Sequence, residues 1–111
     1  MFLFTQEELN KIELNYLELL KREVIVIDVR SQQEFELGNA EIGINIPLSD
    51  LQNHIPQLKQ KQKPIITCCK SGIRAAKATT ILKNADIEAY NGGNWRSVQS
   101  GINNFDHLNK N

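Results

Sequence analysis

The sequence predicts an α/β domain in which a mostly parallel sheet of about five short strands carries helices on both faces. Short β-branched runs alternate along the chain with longer stretches of helical periodicity, as expected when each strand leads into a crossover helix. The run within 23–30 is continuously apolar, which is typical of a strand buried on both faces of a parallel sheet. A length of 111 residues suits one domain, so we assign 1–111 to a single unit.

Composition narrows the classes of partner. The chain has 13 Lys+Arg, 13 Asp+Glu and zero formal net charge, so we expect neither nucleic acid nor a membrane surface as a partner. The sequence has no apolar run of membrane-spanning length, and its Cys, His and carboxylate spacings indicate neither a metal site nor a cofactor. The two cysteines are adjacent, which disfavours a structural disulfide and predicts a protein of a reducing compartment, the cytoplasm.

The first quarter of the chain predicts helical structure. Residues 5–8 have the Thr-x-x-Glu pattern of a capping box, which begins a helix. An apolar stripe at helical spacing follows and is expected to face the core, at Leu9, Ile12, Tyr16, Leu17 and Leu20. We expect one helix here, or two short helices broken near Asn15.

The strand within 23–30 ends in Asp28 and Arg30, at the edge where open α/β sheets place their functional sites. A second capping box at 31–34 predicts a short helix through Leu37, with Gly38 as its stop.

The middle of the chain predicts a short strand and a longer helix. The strand at 44–46 ends at Pro47. A helix begins at Ser49 and is disturbed by Pro56, and 59–63 is a polar connector.

The third strand and its helix flank a cysteine-containing loop. The β-branched run at 64–67 predicts a buried strand, and 75–83 predicts a helix. Small and apolar residues should hold this helix close to the sheet, at Ala75, Ala78, Ile81, Leu82 and Ala85. Polar residues are expected on its outer face, at Lys77, Thr79 and Lys83.

The C-terminal part begins with a strand at 87–90 and a turn at 91–93. A final helix starts within 94–98, where Trp95 is expected to pack against the domain, and a polar tail from about residue 101 is expected to be loosely held.

The loop between the third strand and its helix carries the chemistry. Cys69 stands where a strand ends and a helix is about to begin, and the free N–H groups of a helix start stabilise a thiolate. The pKa of such a thiol falls from about 8.5 toward roughly 3.5–7.5. Lys70 and Arg74 add two positive charges, and Gly72 lets successive N–H groups converge. The sequence therefore predicts an anion cradle with a nucleophile at its floor.

The stretch from Cys69 to Arg74 resembles the active-site loop of rhodanese-like domains. Asp28-Val29-Arg30 followed by Glu34-Phe35, and Gly92-Gly93 followed by Trp95, resemble two further stretches of that family, so the likeness covers about 5–98. Residues 38–43 depart from the family pattern, and we interpret this as a structural variation.

The resemblance implies a rhodanese-like fold and a sulfurtransferase that works through a persulfide on Cys69. The substrate would be held by Lys70, Ser71, Gly72, Ile73 and Arg74. A small anionic donor such as thiosulfate and a thiol or cyanide acceptor are implied, or a thioredoxin-like or sulfur-relay protein as acceptor.

Two alternatives stay open at this point. The domain could be a sulfur carrier or a protein-binding module without its own turnover, since a fold does not guarantee an activity. Counted from Cys68, the spacing to Arg74 is also that of cysteine-dependent phosphatases and some arsenate reductases. We interpret Cys68 as a small buried apolar residue, with a resolving thiol as the minor alternative.

Overall fold

A parallel sheet of four strands organises residues 14–109, the part of the chain that the computed structural model describes. Helices and strands alternate along it: α1 (Tyr16–Lys21), β1 (Ile25–Asp28), α2 (Gln32–Leu37), β2 (Gly43–Asn45), a 3₁₀ turn (Leu48–Asp50), α3 (Leu51–Lys61), β3 (Ile65–Cys69), α4 (Ile73–Asn84), β4 (Ala89–Asn94) and α5 (Trp95–Asn109). The strand order is β2-β1-β3-β4, and each neighbouring pair is parallel. The predicted α/β class is confirmed, with four strands in this part of the chain rather than about five.

The sheet separates two apolar clusters, because successive side chains of a strand point to opposite faces. One cluster lies under α3 and α4 and includes Leu51, Leu58 and Leu82. The other lies under α1 and α5 and includes Leu19 and Val98. Helices therefore cover both faces of the sheet, as the sequence predicts. Within the described residues, no helix is both long and apolar enough to cross a membrane.

The elements before β3 follow the sequence with two corrections. In α1, Leu17, which we expected to face the core, is 50% exposed, and Leu19 is the buried leucine of this helix. Helix α1 starts after Asn15, whose side chain accepts the Glu18 N–H, so a helix does begin there. The predicted capping box at 5–8 and the predicted core positions Leu9 and Ile12 lie outside the described residues. Helix α3 continues through Pro56 to Lys61, so the predicted polar connector at 59–63 is wrong for its first three positions. Buried leucines on both sides of Pro56 hold the helix on the core despite the missing N–H.

The region after α4 differs more from the prediction. Residues 91–93 belong to β4 and do not form a turn. In this part β4 has a bulge, which lies opposite the step from Thr67 to Cys69 of β3. The tail expected to be loose from residue 101 is helical. Ile102 is buried one turn after Val98, and a Cβ at Gly101 would collide with the Tyr16 ring, so this helix packs closely on the domain.

The contact between α4 and β3 includes a polar link that the sequence did not indicate. Thr79, expected on the outer face, is buried and its hydroxyl lies 2.8 Å from that of Thr67. The Ala75 carbonyl lies 2.9 Å from Thr67 Oγ1 and 2.8 Å from Thr79 Oγ1, so the two hydroxyls and this carbonyl form one hydrogen-bonded cluster. These bonds fix the first turn of α4 against the end of β3, where the cysteine loop begins.

Candidate active site

The cysteine loop comprises Lys70–Gly72, between the end of β3 at Cys69 and the start of α4 at Ile73. The Gly72 N–H donates to Cys69 Sγ at 3.0 Å. Gly72 has a φ of +96°, a left-handed conformation that favours glycine and turns the chain into the helix. The predicted sequence of strand end, tight loop and helix start is therefore present, and it brings a backbone donor to the sulfur.

Cys69 itself is fully buried, so its sulfur lies beneath the loop. The Ala76 N–H makes the first helical bond, to the Gly72 carbonyl, at 2.9 Å. The N–H groups before it, at the start of α4, have no acceptor within the helix and lie beside the loop. This arrangement favours negative charge at the position of Cys69 Sγ.

The predicted substrate-binding residues differ in exposure and in the element to which they belong. The side chains of Lys70 and Ser71 are exposed, and that of Ile73 is 66 % exposed. Ile73 and Arg74 belong to the first turn of α4 and not to the loop. The structure thus brings Lys70–Gly72 over the sulfur, whereas Ile73 offers only its backbone to the site.

Arg74 carries a charge that is already paired. Its Nη1 and Nη2 donate to the two carboxylate oxygens of Glu34, at 2.7 and 3.0 Å. This bidentate pair lowers the pKa of Glu34 to about 2, with the Ser31 N–H as a second cause, and raises that of Arg74. Both side chains are about one third exposed. The Arg74 side chain therefore joins α4 to Glu34 of α2, and its charge is balanced by that carboxylate.

The Asp-x-Arg pattern explains how α2 comes to lie there. Asp28 and Arg30 are buried and form an ion pair, with Arg30 Nη2 at 2.7 Å from Asp28 Oδ2. The same guanidinium donates to the carbonyls of Glu34 and Gly38, at 3.3 and 2.6 Å, and so ties α2 to the end of β1. This pair positions Glu34 beside the cysteine loop.

Cys68 lies on the other face of the sheet. It is fully buried in the cluster under α1 and α5, whereas Cys69 belongs to the cluster under α3 and α4. Burial raises the pKa of the Cys68 thiol to about 12, with the Asp28 charge as a further cause. Both cysteines are free. Cys68 therefore has the environment of a buried apolar residue and not that of a nucleophile.

Two asparagines were not identified from the sequence, although they contact the loop directly. Asn94 Nδ2 donates to the Lys70 carbonyl at 2.7 Å, and Asn91 Nδ2 donates to the Gly72 carbonyl at 3.2 Å. A groove runs along this outer side of the loop, bordered by Ser71 as well. The signal in the sequence was the symmetric Asn-Gly-Gly-Asn run, in which we interpreted 91–93 as a turn and Asn94 as part of the start of the final helix.

Trp95 and the segment at 38–43 have structural roles. Two guanidinium groups lie over the Trp95 ring, those of Arg30 and Arg96, at 5.2 and 4.6 Å from the ring centroid. Gly38 lies close to that ring, and a Cβ at this position would be only 3.2 Å from the ring carbons. These contacts brace α2 and α5. Among the side chains that the structure describes, those of residues 14–105, no group of His, Cys, Asp and Glu could hold a metal ion.

The model of the rhodanese-like domain family matches residues 14–107. The chain belongs to that family. The match spans every strand described above and includes Cys69 with its loop.

Similar proteins include several associated with tRNA. The chain is 37% identical over 71 residues to the uncharacterized protein YqhL of Bacillus subtilis. It is 28% identical over 71 residues to a tRNA sulfurtransferase of Thermoplasma acidophilum. It is 31% identical over 83 residues to a tRNA uridine(34) hydroxylase of Aster yellows witches'-broom phytoplasma. These alignments cover 63%, 64% and 68% of the chain, but 56%, 14% and 27% of the three relatives.

Solved structures agree with the fold. A rhodanese-related protein from Thermoplasma volcanium superposes with a TM-score of 0.60 at 30% identity, over 78% of this chain and 83% of that one. A rhodanese from E. coli, solved with anions, superposes with a TM-score of 0.61 at 24% identity, over 67% and 89%. The chain is thus similar to whole single-domain rhodanese-like structures and to parts of larger relatives, and its family is one of sulfur-transfer chemistry.

Proposed function

We propose that this domain is a sulfurtransferase that takes sulfane sulfur from an anionic donor such as thiosulfate and carries it as a persulfide on Cys69. The observation that supports this most directly is the bond from the Gly72 N–H to Cys69 Sγ at the start of α4. A backbone donor and a helix N-terminus stabilise a thiolate without a neighbouring base. The Cys69 thiolate is therefore the proposed nucleophile, and the reaction needs no general base.

In the first half-reaction the Cys69 thiolate attacks the outer sulfur of thiosulfate. A new S–S bond forms, the S–S bond of thiosulfate breaks, and sulfite leaves with the bonding electron pair. The donor is a dianion and the leaving group is also a dianion, so backbone N–H groups and the cations Lys70 and Arg74 favour both. The persulfide formed on Cys69 keeps the negative charge of the thiolate in the same cradle.

In the second half-reaction a nucleophile removes the outer sulfur from the persulfide and restores the Cys69 thiolate. Cyanide would leave as thiocyanate, and a thiol would leave as a persulfide. A thioredoxin-like or sulfur-relay protein could present such a thiol, and a reducing compartment such as the cytoplasm would keep the acceptor and Cys69 reduced. Sulfur enters and leaves in separate steps, so the proposed kinetics are ping-pong.

The two alternative functions, a sulfur carrier and a phosphatase, differ from the proposed enzyme in the reaction expected at the cysteines. A carrier would form the persulfide and release it only to a protein partner. The relatives named for tRNA modification are longer than this chain, which is compatible with a domain that passes sulfur within a larger system. A phosphatase acting through Cys68 has little support, because Cys68 is buried on the face of the sheet away from the loop.

The test is to incubate the protein with thiosulfate, measure the intact mass, and then add cyanide. One added sulfur on Cys69, followed by release of thiocyanate, supports the proposal. A persulfide that cyanide leaves intact favours the carrier, and turnover of an aryl phosphate without sulfur uptake would favour a phosphatase. The Cys69→Ser variant is the negative control, and Cys68→Ala is the matched control at the neighbouring thiol.

A further inference from the structure

The end of β4 carries a bulge that turns two asparagines toward the cysteine loop. Thr67 pairs with Asn91 and Cys69 pairs with Asn94, so two steps along β3 correspond to three along β4. Residues three apart in a regular strand point to opposite faces, but one extra residue returns them to the same face. The bulge therefore explains how Asn91 and Asn94 both reach the loop.

The two glycines between the asparagines are required by the packing. A Cβ at Gly92 would lie 2.6 Å from Val98 Cγ2 and 2.7 Å from Ile66 Cγ2, closer than any side chain tolerates. Gly93 has a φ of +77°, and a Cβ on Gly72 of the loop would meet the Gly93 Cα at 3.4 Å. The loop thus rests directly on the backbone of the bulge, with one asparagine on each side.

Each asparagine makes the same pair of hydrogen bonds. Asn94 Oδ1 accepts the N–H two residues further on at 2.7 Å, and its Nδ2 donates to the Lys70 carbonyl at 2.7 Å. Asn91 Oδ1 likewise accepts the N–H two residues on at 2.8 Å, and its Nδ2 donates to the Gly72 carbonyl at 3.2 Å. Because each oxygen is fixed on a backbone donor, each amide nitrogen is directed at the loop.

These bonds set the direction of two peptide groups. In a trans peptide the C=O and the following N–H point in opposite directions. With the Lys70 carbonyl drawn toward β4, the Ser71 N–H points away from β4; the Gly72 carbonyl and the Ile73 N–H are related in the same way. The peptide between them carries the Gly72 N–H that donates to Cys69 Sγ. The peptide groups before and after the donating one are therefore each held by an asparagine side chain of β4.

We propose that Asn94, assisted by Asn91, is a positioning residue for sulfur transfer: the two amides hold the Lys70 and Gly72 carbonyls toward β4 so that the Gly72 N–H between them stays on Cys69 Sγ. The inference rests on the proposed role of Cys69 as the nucleophile. It predicts that the amide group, and not the bulk of the side chain, sets how readily the Cys69 thiolate forms.

The test compares Asn94→Ser with Asn103→Ser in a Cys68→Ala background, where a single thiol remains. Serine keeps an oxygen that accepts the N–H at the start of α5 but cannot reach the Lys70 carbonyl. Asn103 makes its side-chain bond to Gln99 on the outer face of α5, so its variant is the same chemical change away from the loop. The ultraviolet absorbance of the thiolate against pH and the kcat for thiosulfate are the two measurements.

We expect Asn94→Ser to lower the thiolate absorbance at neutral pH and to lower kcat about tenfold, less than the loss of a donor itself. Asn103→Ser should match the parent in both. Asn94→Asp keeps the acceptor and loses the donor, and it provides a second measurement should the serine variant fold poorly, with added salt to screen its charge. A thiolate absorbance unchanged in both Asn94 variants overturns the proposal. A thiolate absorbance that falls in a protein without sulfur transfer upholds the positioning role and rejects the proposed function.

Discussion

Cys68 and Cys69 are neighbours in sequence, yet the sheet gives them opposite surroundings. Cys68 points into the apolar cluster under α1 and α5, and the Cys69 sulfur receives the Gly72 N–H beside the start of α4. Each thiol also has its own ion pair nearby. The pair near Cys68, Asp28–Arg30, is buried, whereas the Glu34–Arg74 pair near Cys69 is about one third exposed.

The difference shows that position at a strand end does not by itself make a cysteine reactive. Burial without a donor raises the pKa of Cys68 to about 12, so this thiol stays protonated and packs as an apolar group. One residue later the chain leaves the sheet, and backbone donors become available because the next helix is just starting. The predictions below test this contrast, beginning with the change expected to have the largest effect.

Replacing the nucleophile should have the largest effect. Cys69→Ser should lower sulfur transfer from thiosulfate by roughly 10³-fold or more, the scale on which the loss of a nucleophile is felt. The serine hydroxyl is not ionised at neutral pH and does not form a persulfide. Steady-state thiocyanate release and intact mass after incubation with thiosulfate are the measurements.

The contrast between the thiols would be wrong if Cys69→Ser kept its activity while a substitution of Cys68 abolished it. Stability should fall less in Cys69→Ser than in Cys68→Ser, because the Gly72 N–H can donate to the new hydroxyl. A urea unfolding curve verifies that lost activity reports chemistry and not unfolding.

Replacing Cys68 should affect stability and spare activity. Cys68→Ser places a hydroxyl without an evident partner in an apolar cluster, which we expect to lower the free energy of unfolding by about 1–3 kcal/mol. Cys68→Ala removes the sulfur without burying a polar group and provides the matched comparison. Urea unfolding of both variants gives the values. Equal stability of Cys68→Ser and the parent would place Cys68 outside the core.

Removing Arg74 should weaken donor binding to an intermediate extent. Arg74→Ala removes a cation near the loop and leaves the Glu34 carboxylate without its partner, so we expect binding of thiosulfate to weaken by about 1–3 kcal/mol. The KM for thiosulfate measures the effect.

The Glu34→Gln variant sharpens this experiment. If the carboxylate competes with the donor for Arg74, Glu34→Gln should lower the KM for thiosulfate, and the double variant should lie close to Arg74→Ala. A KM that does not respond to either single change would mean that Arg74 serves only to join α2 to α4.

Much of the fold could be predicted because its elements have strong local signals. The continuous apolar run of β1 and the capping box of α2 were each recognisable from a few residues, and the structure has both. The end of β4 was not predictable, since Asn-Gly-Gly-Asn is typical of a turn and only the pairing with β3 turns it into a bulge. Likewise, the start of α5 was predicted, but its part from residue 101 onward has the composition of a polar tail, and only the burial of Ile102 against the domain shows why it stays helical.

The residues of the candidate site also divide into those that local sequence predicts and those that depend on tertiary contacts. Cys69 and Gly72 could be found because strand end, loop and helix start are contiguous in the sequence. The partner of Arg74 could not, because Glu34 lies 40 residues away and reaches it only after the buried Asp28–Arg30 pair has fixed α2. Asn91 and Asn94 were missed for a related reason, since their contacts with the loop depend on the register of two strands.

The smallest expected effect is the pH dependence of the Glu34–Arg74 pair. The pKa of Glu34 is about 2 in the folded protein against 4.5 for the free side chain, with Arg74 as the main cause. A depressed carboxyl pKa stabilises the fold above the unfolded value, so this contribution is complete above pH 4.5 and is lost as the pH falls toward 2. Solvent and salt screen a pair that is one third exposed, which keeps the effect small.

Urea midpoints of the parent and Glu34→Gln, measured from neutral pH downward, isolate this contribution because other acidic groups such as Glu88 are common to both. The parent should lose more stability than the variant between pH 4.5 and 2, and the difference should shrink in high salt. Parallel curves at all pH values would show that the pair beside Cys69 adds no stability of its own. The two ion pairs would then differ in kind, with Asp28–Arg30 holding the fold and Glu34–Arg74 left free to exchange its carboxylate for a substrate anion.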